Sequence, residues 1–290
     1  MNLLITGSSG FIGRNFINKN KEYKIVSVSL KNVLVENIDF TGIDTILHLA
    51  GLAHQMNGAP EEDYFNINTT LTYNFATKAK ENGISHFIFI SSAKVYGEAS
   101  TIGKPFNEIS YCFPIDAYSK SKLQAEEKLK SLEDSNFKVA ILRIPLVYGA
   151  GVKGNLKVLM NLVHKISFIP LGNINNKRSM LYVGNLIDVL KLIVDQKQSG
   201  IFIACDNKSL STSELIKIIA KSFDKKIILF KMPAFIIKIM QYVKPQTMDR
   251  LYSSFELDNT VTNQILGFAQ NYSVEQGIKE MVNSYNIEYP

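Results

Sequence analysis

Tryptophan is absent from this 290-residue chain, and cysteine is limited to Cys112 and Cys205. Two cysteines so far apart exclude a disulfide framework and a cysteine-based metal motif, and they fit reduced thiols in a cytoplasm. Histidine is scarce too: His48, His54, His86 and His164 lack zinc-ligand spacing, so no metal is expected. The N-terminus has no basic stretch leading into an apolar run and cleavage site, which argues against a signal peptide. The most apolar late stretch, 232–243, is broken by Lys238 and is too short to span a bilayer, so an amphipathic helix of a second lobe is expected there. Blocks of like charge are also missing. The 32 basic and 26 acidic residues are interspersed, net +6, which suits solvated helix faces and an anionic ligand rather than a nucleic-acid patch.

What is present begins at the first residues. Leu3, Leu4 and Ile5 form a short apolar run that breaks into Thr6-Gly7-Ser8-Ser9-Gly10-Phe11-Ile12-Gly13-Arg14. A buried strand followed at once by a helix needs residues without a Cβ where the chain bends. The first turn of such a helix carries unpaired N–H groups and a partial positive charge, which together bind phosphate. Gly7 makes the turn in this reading, Gly10 lets a pyrophosphate approach the backbone, and Gly13 lets the helix pack on the strand.

Further along, strands are expected at 23–30, 43–49 and 86–91, with a helix over 66–81 closed by Asn82-Gly83. Strands alternating with helices predict an α/β fold, a Rossmann-type doubly wound parallel sheet, with ligands beyond the carboxyl ends of the strands. The second strand ends in Ser29-Leu30-Lys31, with no carboxylate to accept bonds from an adenosine ribose. Arg14 and Lys31 are placed to neutralise a 2′-phosphate, which favours NADP(H) and leaves NAD(H) open; Arg14 equally fits a surface helix position. Asp39 and Phe40 have two readings: a bracket for an adenine ring, or a turn aspartate beside a core phenylalanine.

Ser92 leaves the fourth strand, and 26 residues later Tyr118-Ser119-Lys120-Ser121-Lys122 opens a helix running to about residue 132. Tyr118 and Lys122, four apart, share a helix face. A nearby ammonium favours phenolate and lowers a phenol from about 10 towards a useful acid/base range. Ser92 is then expected on the same substrate oxygen.

The ordered set of glycine turn, His48-Leu49-Ala50, Asn66-Ile67-Asn68, Ser91-Ser92-Ala93-Lys94-Val95-Tyr96-Gly97, Tyr118 to Lys122, and Leu142-Arg143-Ile144-Pro145-Leu146-Val147-Tyr148-Gly149 resembles the extended short-chain dehydrogenase/reductases that act on nucleotide sugars. The resemblance covers nearly the whole chain. It implies Ser92, Tyr118 and Lys122 as catalytic residues, Lys122 also on the nicotinamide ribose, and Pro145 against the nicotinamide. It places Phe11, Ile12, Leu49, Ala50 and Asn66 around the cofactor. It implies residues 1–150, with 179–205 returning, as a cofactor domain, and 151–178 with 206–290 as a nucleotide-sugar lobe. There Asn155, Arg178 and Arg250 are expected on the diphosphate, Arg by its planar fork of donors. Leu266-Gly267-Phe268 and the run from Ser273 to Gly277 resemble the family's C-terminal ending.

Departures narrow the choice. The 4,6-dehydratases of this family carry Asp-Glu after the Ser/Thr, where this chain has Ala93-Lys94, so dehydration is not expected. Gly151-Val152-Lys153-Gly154-Asn155 and Asn176-Lys177-Arg178-Ser179 look most like bacterial polysaccharide enzymes that reduce C4 of UDP-2-acetamido-2,6-dideoxy-4-hexuloses. The alternatives are a UDP-hexose 4-epimerase with bound NAD and, more remotely, a non-catalytic dinucleotide-binding scaffold. Lys94 reads either as a substrate contact or as a loop lysine facing water. A homodimer is implied by family analogy only.

Overall fold

The N-terminal apolar run forms strand β1, Asn2–Thr6, and the glycine turn delivers it into helix α1, Phe11–Lys19. The computed structural model describes residues 1–31, 33–53 and 59–288, so His54 lies outside the described residues. Strands β2 (Lys24–Val28), β3 (Thr45–His48), β4 (His86–Ser92) and β5 (Lys138–Ile144) follow. Between β3 and β4 lies one helical run: α2, Glu61–Tyr64, a π-helical segment over Phe65–Leu71, and α3, Thr72–Glu81. Helix α4, Ala117–Lys130, joins β4 to β5.

Beyond β5 come β6 (Leu146–Tyr148), α5 (Asn155–Lys165), β7 (Phe168–Ile169), β8 (Met180–Tyr182), α6 (Val183–Gln196) and β9 (Gly200–Ile203). The last elements are α7 (Thr212–Ser222), β10 (Ile228–Leu229), α8 (Ala234–Val243), α9 (Pro245–Tyr252), α10 (Thr260–Leu266) and α11 (Val274–Glu288). The central sheet has six strands in the order β2-β1-β3-β4-β5-β9, every neighbouring pair parallel. It is the α/β Rossmann-like arrangement expected from the strand-helix alternation.

Both faces of the sheet are covered because successive strand residues point to opposite sides. Leu3 and Ile5 pack with Phe16 of α1 and Leu186 and Leu190 of α6, whereas Leu4 packs with Phe75 and Ala79 of α3 and Leu129 of α4. The first of these clusters continues to Leu156, Met160, Ile216, Ile278 and Met281, so the C-terminal helices share the core of the sheet. Asp206 pins this junction: it accepts from Tyr148 Oη at 2.7 Å and Asn185 Nδ2 at 2.8 Å.

Two boundaries differ from expectation for physical reasons. The strand expected over 23–30 spans only Lys24–Val28, an edge strand with Lys24, Val26 and Ser27 exposed and one neighbour to pair with. The helical run expected from residue 66 begins at Glu61. Its first turn is acidic and solvent-facing, suited to the helix dipole but silent in apolar periodicity.

The turn between β1 and α1 is the tightest packing near the site. Gly7 sits at φ +69°, and a Cβ there would lie 2.7 Å from the Ala50 nitrogen. A Cβ on Gly13 would lie 2.5 Å from the Gly7 carbonyl oxygen and 2.7 Å from Ser8 Cα. Helix propensity alone makes Gly13→Ala stabilising by about 1 kcal/mol. Overpacking against backbone, which cannot rotate aside, sits at the upper end of the usual range, about 2–3 kcal/mol, and reverses the sign. Gly13→Ala is therefore expected to lower stability by about 1–2 kcal/mol, read as a shift in the midpoint of denaturant unfolding; an unchanged or raised midpoint refutes the close approach.

Candidate active site

Ser92 is the last residue of β4, paired in register with Ile144 of β5, so Pro145 leaves the neighbouring strand beside it. The Ser92 hydroxyl accepts from the Lys94 amide at 3.2 Å and is hydrogen-bonded to the Tyr118 phenol. Tyr118 stands in the first turn of α4, whose start is set by Asp116: its carboxylate accepts from the Ser119 amide at 2.7 Å. The Lys94 ammonium binds that same cap residue and also Glu98, at 2.9 Å. The charge of Lys94, a partly exposed side chain, is thus engaged by carboxylates at the N-terminus of the helix carrying Tyr118.

One turn on, Lys122 is buried. Its ammonium donates to the Ile90 carbonyl at 2.9 Å and lies 4.5 Å above the centre of the Phe89 ring. Burial draws it down from 10.5 to about 8, with Glu126 acting in the opposite direction. The Tyr118 phenol stands above its ordinary value, at about 12: burial raises it, the Ser92 bond lowers it, and Asp116 and Tyr64 raise it further. This corrects the expectation that Lys122 brings the phenol below 10. In a water-poor setting the neutral phenol is favoured, so Tyr118 keeps its proton at neutral pH.

Three features around Lys122 are given no role by the sequence, although Asn68 and Arg143 stand within its quoted motifs. A Cβ on Gly51 would lie 2.9 Å from Asn68 Oδ1 and 3.3 Å from Lys122 Nζ, so glycine there leaves room for both. Asn68 is buried in the π-helical segment, where it accepts from the Leu52 amide at 2.8 Å and donates to the Leu52 carbonyl at 3.0 Å and Ser121 Oγ at 3.1 Å. Thr69 Oγ1 donates to the Ser121 carbonyl at 2.8 Å, tying the same segment to α4. Behind Ser92, Glu126 accepts from Ser91 and from Arg143, whose Nη2 lies at 2.6 Å and whose Nη1 reaches Tyr96 Oη at 2.9 Å. This buried pair joins α4 to β5 across β4.

The glycine turn has the shape a dinucleotide needs. Gly10 caps α1 with its backbone exposed, and Leu49 and Ala50 lie against Gly7. Phe11 and Ile12 open α1 and are half-buried, while Arg14 and Lys31 are exposed. Asp39 is exposed and accepts from the Thr41 amide at 2.8 Å, while Phe40 packs in the core 5.7 Å from Phe75. The adenine-stacking reading of Phe40 is corrected, since its ring faces are committed to the core. Asn66 is exposed, its amide 3.5 Å from Glu62.

On the substrate side, Asn155 begins α5 after Gly154, which sits at φ +70°. Arg178 Nη1 donates to the Ser253 carbonyl at 3.0 Å, and its backbone bridges to Leu210 and Phe255. Burial lowers the Arg178 guanidinium, Glu98 raises it, and Arg250 lowers it again. The two arginines therefore stand near enough to repel, a pairing that an interposed dianion relieves. Among the described residues no group of three or more His, Cys, Asp or Glu could hold a metal. His48 is a core residue, held between Thr6 Oγ1 and Thr72 Oγ1 at 3.0 Å each and pushed by burial to about 3.

Residues 3–204 match the model of the NAD dependent epimerase/dehydratase family. The chain belongs to that family. The chain is 30% identical to a UDP-glucose 4-epimerase of Vibrio cholerae, across 98% of this chain and 95% of the relative. It is 27% identical, across 78% of this chain and 73% of the relative, to the N-acetyl-alpha-D-glucosaminyl-diphospho-ditrans,octacis-undecaprenol 4-epimerase of Escherichia coli. Its fold matches a UDP-glucuronic acid 4-epimerase from Bacillus cereus in complex with NAD (TM-score 0.79, 19% identity, all of both chains). It also matches RMD from Pseudomonas aeruginosa complexed with NADPH (TM-score 0.81, 17% identity, 98% of this chain and 99% of the other).

The burial of Lys122 makes a pH-dependent stability prediction. Below about pH 8 the folded chain carries a buried ammonium, and the fall from 10.5 to about 8 corresponds to a cost of about 3 kcal/mol. Between about pH 8 and 10.5 the folded chain gives up a proton that the unfolded chain keeps, so the cost fades as pH rises. Lys122→Met removes that cost and forfeits the bond to Ile90 and the contact with Phe89, about 1–2 kcal/mol. Its expected net gain is about 1–2 kcal/mol at pH 7, shrinking towards pH 10 and becoming a loss there. Urea unfolding at a series of pH values reads it, and a gain that grows with pH refutes it.

Proposed function

We propose that this chain reduces the C4 ketone of a UDP-linked 4-keto-6-deoxy-N-acetylhexosamine, with Tyr118 as proton donor, yielding UDP-N-acetylquinovosamine or UDP-N-acetylfucosamine. The observation that carries this reading is the Ser92–Tyr118 pair at the carboxyl edge of β4, with the phenol held neutral. Reduction of a ketone needs a proton delivered to the emerging alkoxide, and a neutral phenol bonded to Ser92 suits that task.

The glycine turn suits the cofactor because Gly7, Gly10 and Gly13 let β1, the turn and α1 pack closely: a Cβ on any of them would lie within 3.1 Å of a backbone atom. Gly10, Phe11 and Ile12 would hold a pyrophosphate at the α1 N-terminus. Arg14 and Lys31, with no carboxylate at the end of β2, favour NADP(H). When bound, the reduced nicotinamide supplies the hydride. Ser92 orients the keto oxygen by its hydroxyl, Tyr118 gives it a proton, and Lys122 anchors the face of α4 on which Tyr118 stands. Arg178 and Arg250 hold the diphosphate, with Asn155 at its edge. Ala93-Lys94 stands where elimination of water needs its own acid and base, so dehydration is not part of this reading.

A 4-epimerase acting on UDP-glucose or UDP-GlcNAc is the second reading, favoured by the end-to-end similarity to the Vibrio cholerae relative. Incubation with the UDP-4-keto-6-deoxy sugar separates the two, with NADPH and NADH absorbance followed in parallel. Steady stoichiometric oxidation supports the reductase, whereas interconversion of UDP-GlcNAc or UDP-glucose without net oxidation overturns it. Tyr118→Phe is expected to lower turnover by roughly 10²–10⁴-fold, with cofactor affinity within about threefold on titration; unimpaired turnover removes Tyr118 from the mechanism.

A further inference from the structure

Helix α8 has the reverse of the usual burial pattern: every one of its residues is at least partly exposed, yet most of them are apolar. Phe235, Ile239 and Tyr242, spaced i, i+4, i+7, form one stripe and are 65%, 57% and 91% exposed. Lys238 lies on the same side, and Lys231 and Lys244 flank the helix at its two ends. Ile236, Ile237 and Met240, on the other side, are half-buried, and α8 packs chiefly on α9. The helix therefore projects as a ridge rather than lining a groove.

Charge selects the occupant. From Asp224 to Asp249 the sequence holds Lys225, Lys226, Lys231, Lys238 and Lys244 with no intervening carboxylate. A second copy docking through this face would set lysine against lysine. A short helix with large apolar side chains along one stripe and lysines beside it lies in the interface of an anionic bilayer, its ammonium groups among the headgroups. Ten residues cannot cross a bilayer, and among the described residues no helix is long and apolar enough to do so. We propose that α8 is a membrane-surface docking helix that seats the protein on anionic lipid through Phe235, Ile239 and Tyr242, with Lys231, Lys238 and Lys244 at the headgroups.

The absence of tryptophan supplies the test. Tyr242→Trp in the full chain gives a single reporter on the stripe. Vesicles of equal parts phosphatidylglycerol and phosphatidylcholine are expected to shift its emission to the blue and to carry the protein down on sedimentation; pure phosphatidylcholine vesicles are expected to do neither. Adding Lys231→Gln, Lys238→Gln and Lys244→Gln is expected to weaken binding roughly 100-fold, and Phe235→Ser with Ile239→Ser to abolish the shift. All of these positions are exposed, so unfolding temperatures should change little. The proposal is overturned by an unshifted emission with anionic vesicles, or by binding indifferent to the lysine changes. It is equally overturned by burial of the reporter that grows with protein concentration without lipid, which assigns the face to a second copy, or by an equal response to polyglutamate, which assigns it to an acidic protein.

Discussion

The site depends on keeping one ammonium group, that of Lys122, out of water. Charge at that depth is expensive, and the surroundings are arranged to make it tolerable. The Ile90 carbonyl accepts one bond, the Phe89 ring offers its negative face, and Glu126 stands one helical turn away. His48 belongs to the same arrangement. It is buried near Lys122 and is held to about 3 first by burial and then by the lysine's charge, so two cations never share the pocket. Its bonds to Thr6 and Thr72 suit a neutral ring that donates through one nitrogen and accepts through the other.

Holding α4 at the depth this requires engages elements from both sides. The π-helical segment, widened at Asn68 and Thr69, grips α4 at Ser121, while Glu126 and Arg143 fasten the next turn to β5. Asp116, bridged by Lys94, sets where the helix begins. Tyr118 and Lys122 are thus positioned by bonds made at 116, 121 and 126, residues that alternate with them along the same helix. A rigid helix fixed at three levels gives the phenol little freedom to drift from Ser92, and near-attack geometry depends on that restraint.

The parallel sheet and the glycine turn were legible because their causes are local. A strand buried on both faces reads as an apolar run, and the need for missing Cβ atoms at residues 7 and 13 appears directly as glycine. Asn68 and Glu126 were not legible as partners, since each acts on a residue far away in sequence and neither lies in an apolar pattern. Phe40 left two readings open because a core phenylalanine and a stacking phenylalanine look alike until the neighbouring Phe75 is placed. The phenol's direction of shift was misread for a related reason: the spacing of Tyr118 and Lys122 carries their proximity but says nothing of the burial that acts on both.

Depth also sorts the chain's excess positive charge into different kinds of work. At Lys122 burial changes the proton affinity of the group itself. Arg178, only partly covered, keeps its charge, and Arg250 close by opposes it, so an anion held between the two, as the proposed function requires of the diphosphate, would relieve their repulsion. Lys226, Lys231, Lys238 and Lys244 are exposed and too well hydrated to bind a small ligand tightly, and their attraction to an anion falls with salt. Such charges gain strength only when many act on one extended surface. A ridge of apolar side chains running through them supplies the part of the binding that salt does not screen, so the two together hold the chain to a bilayer better than either alone.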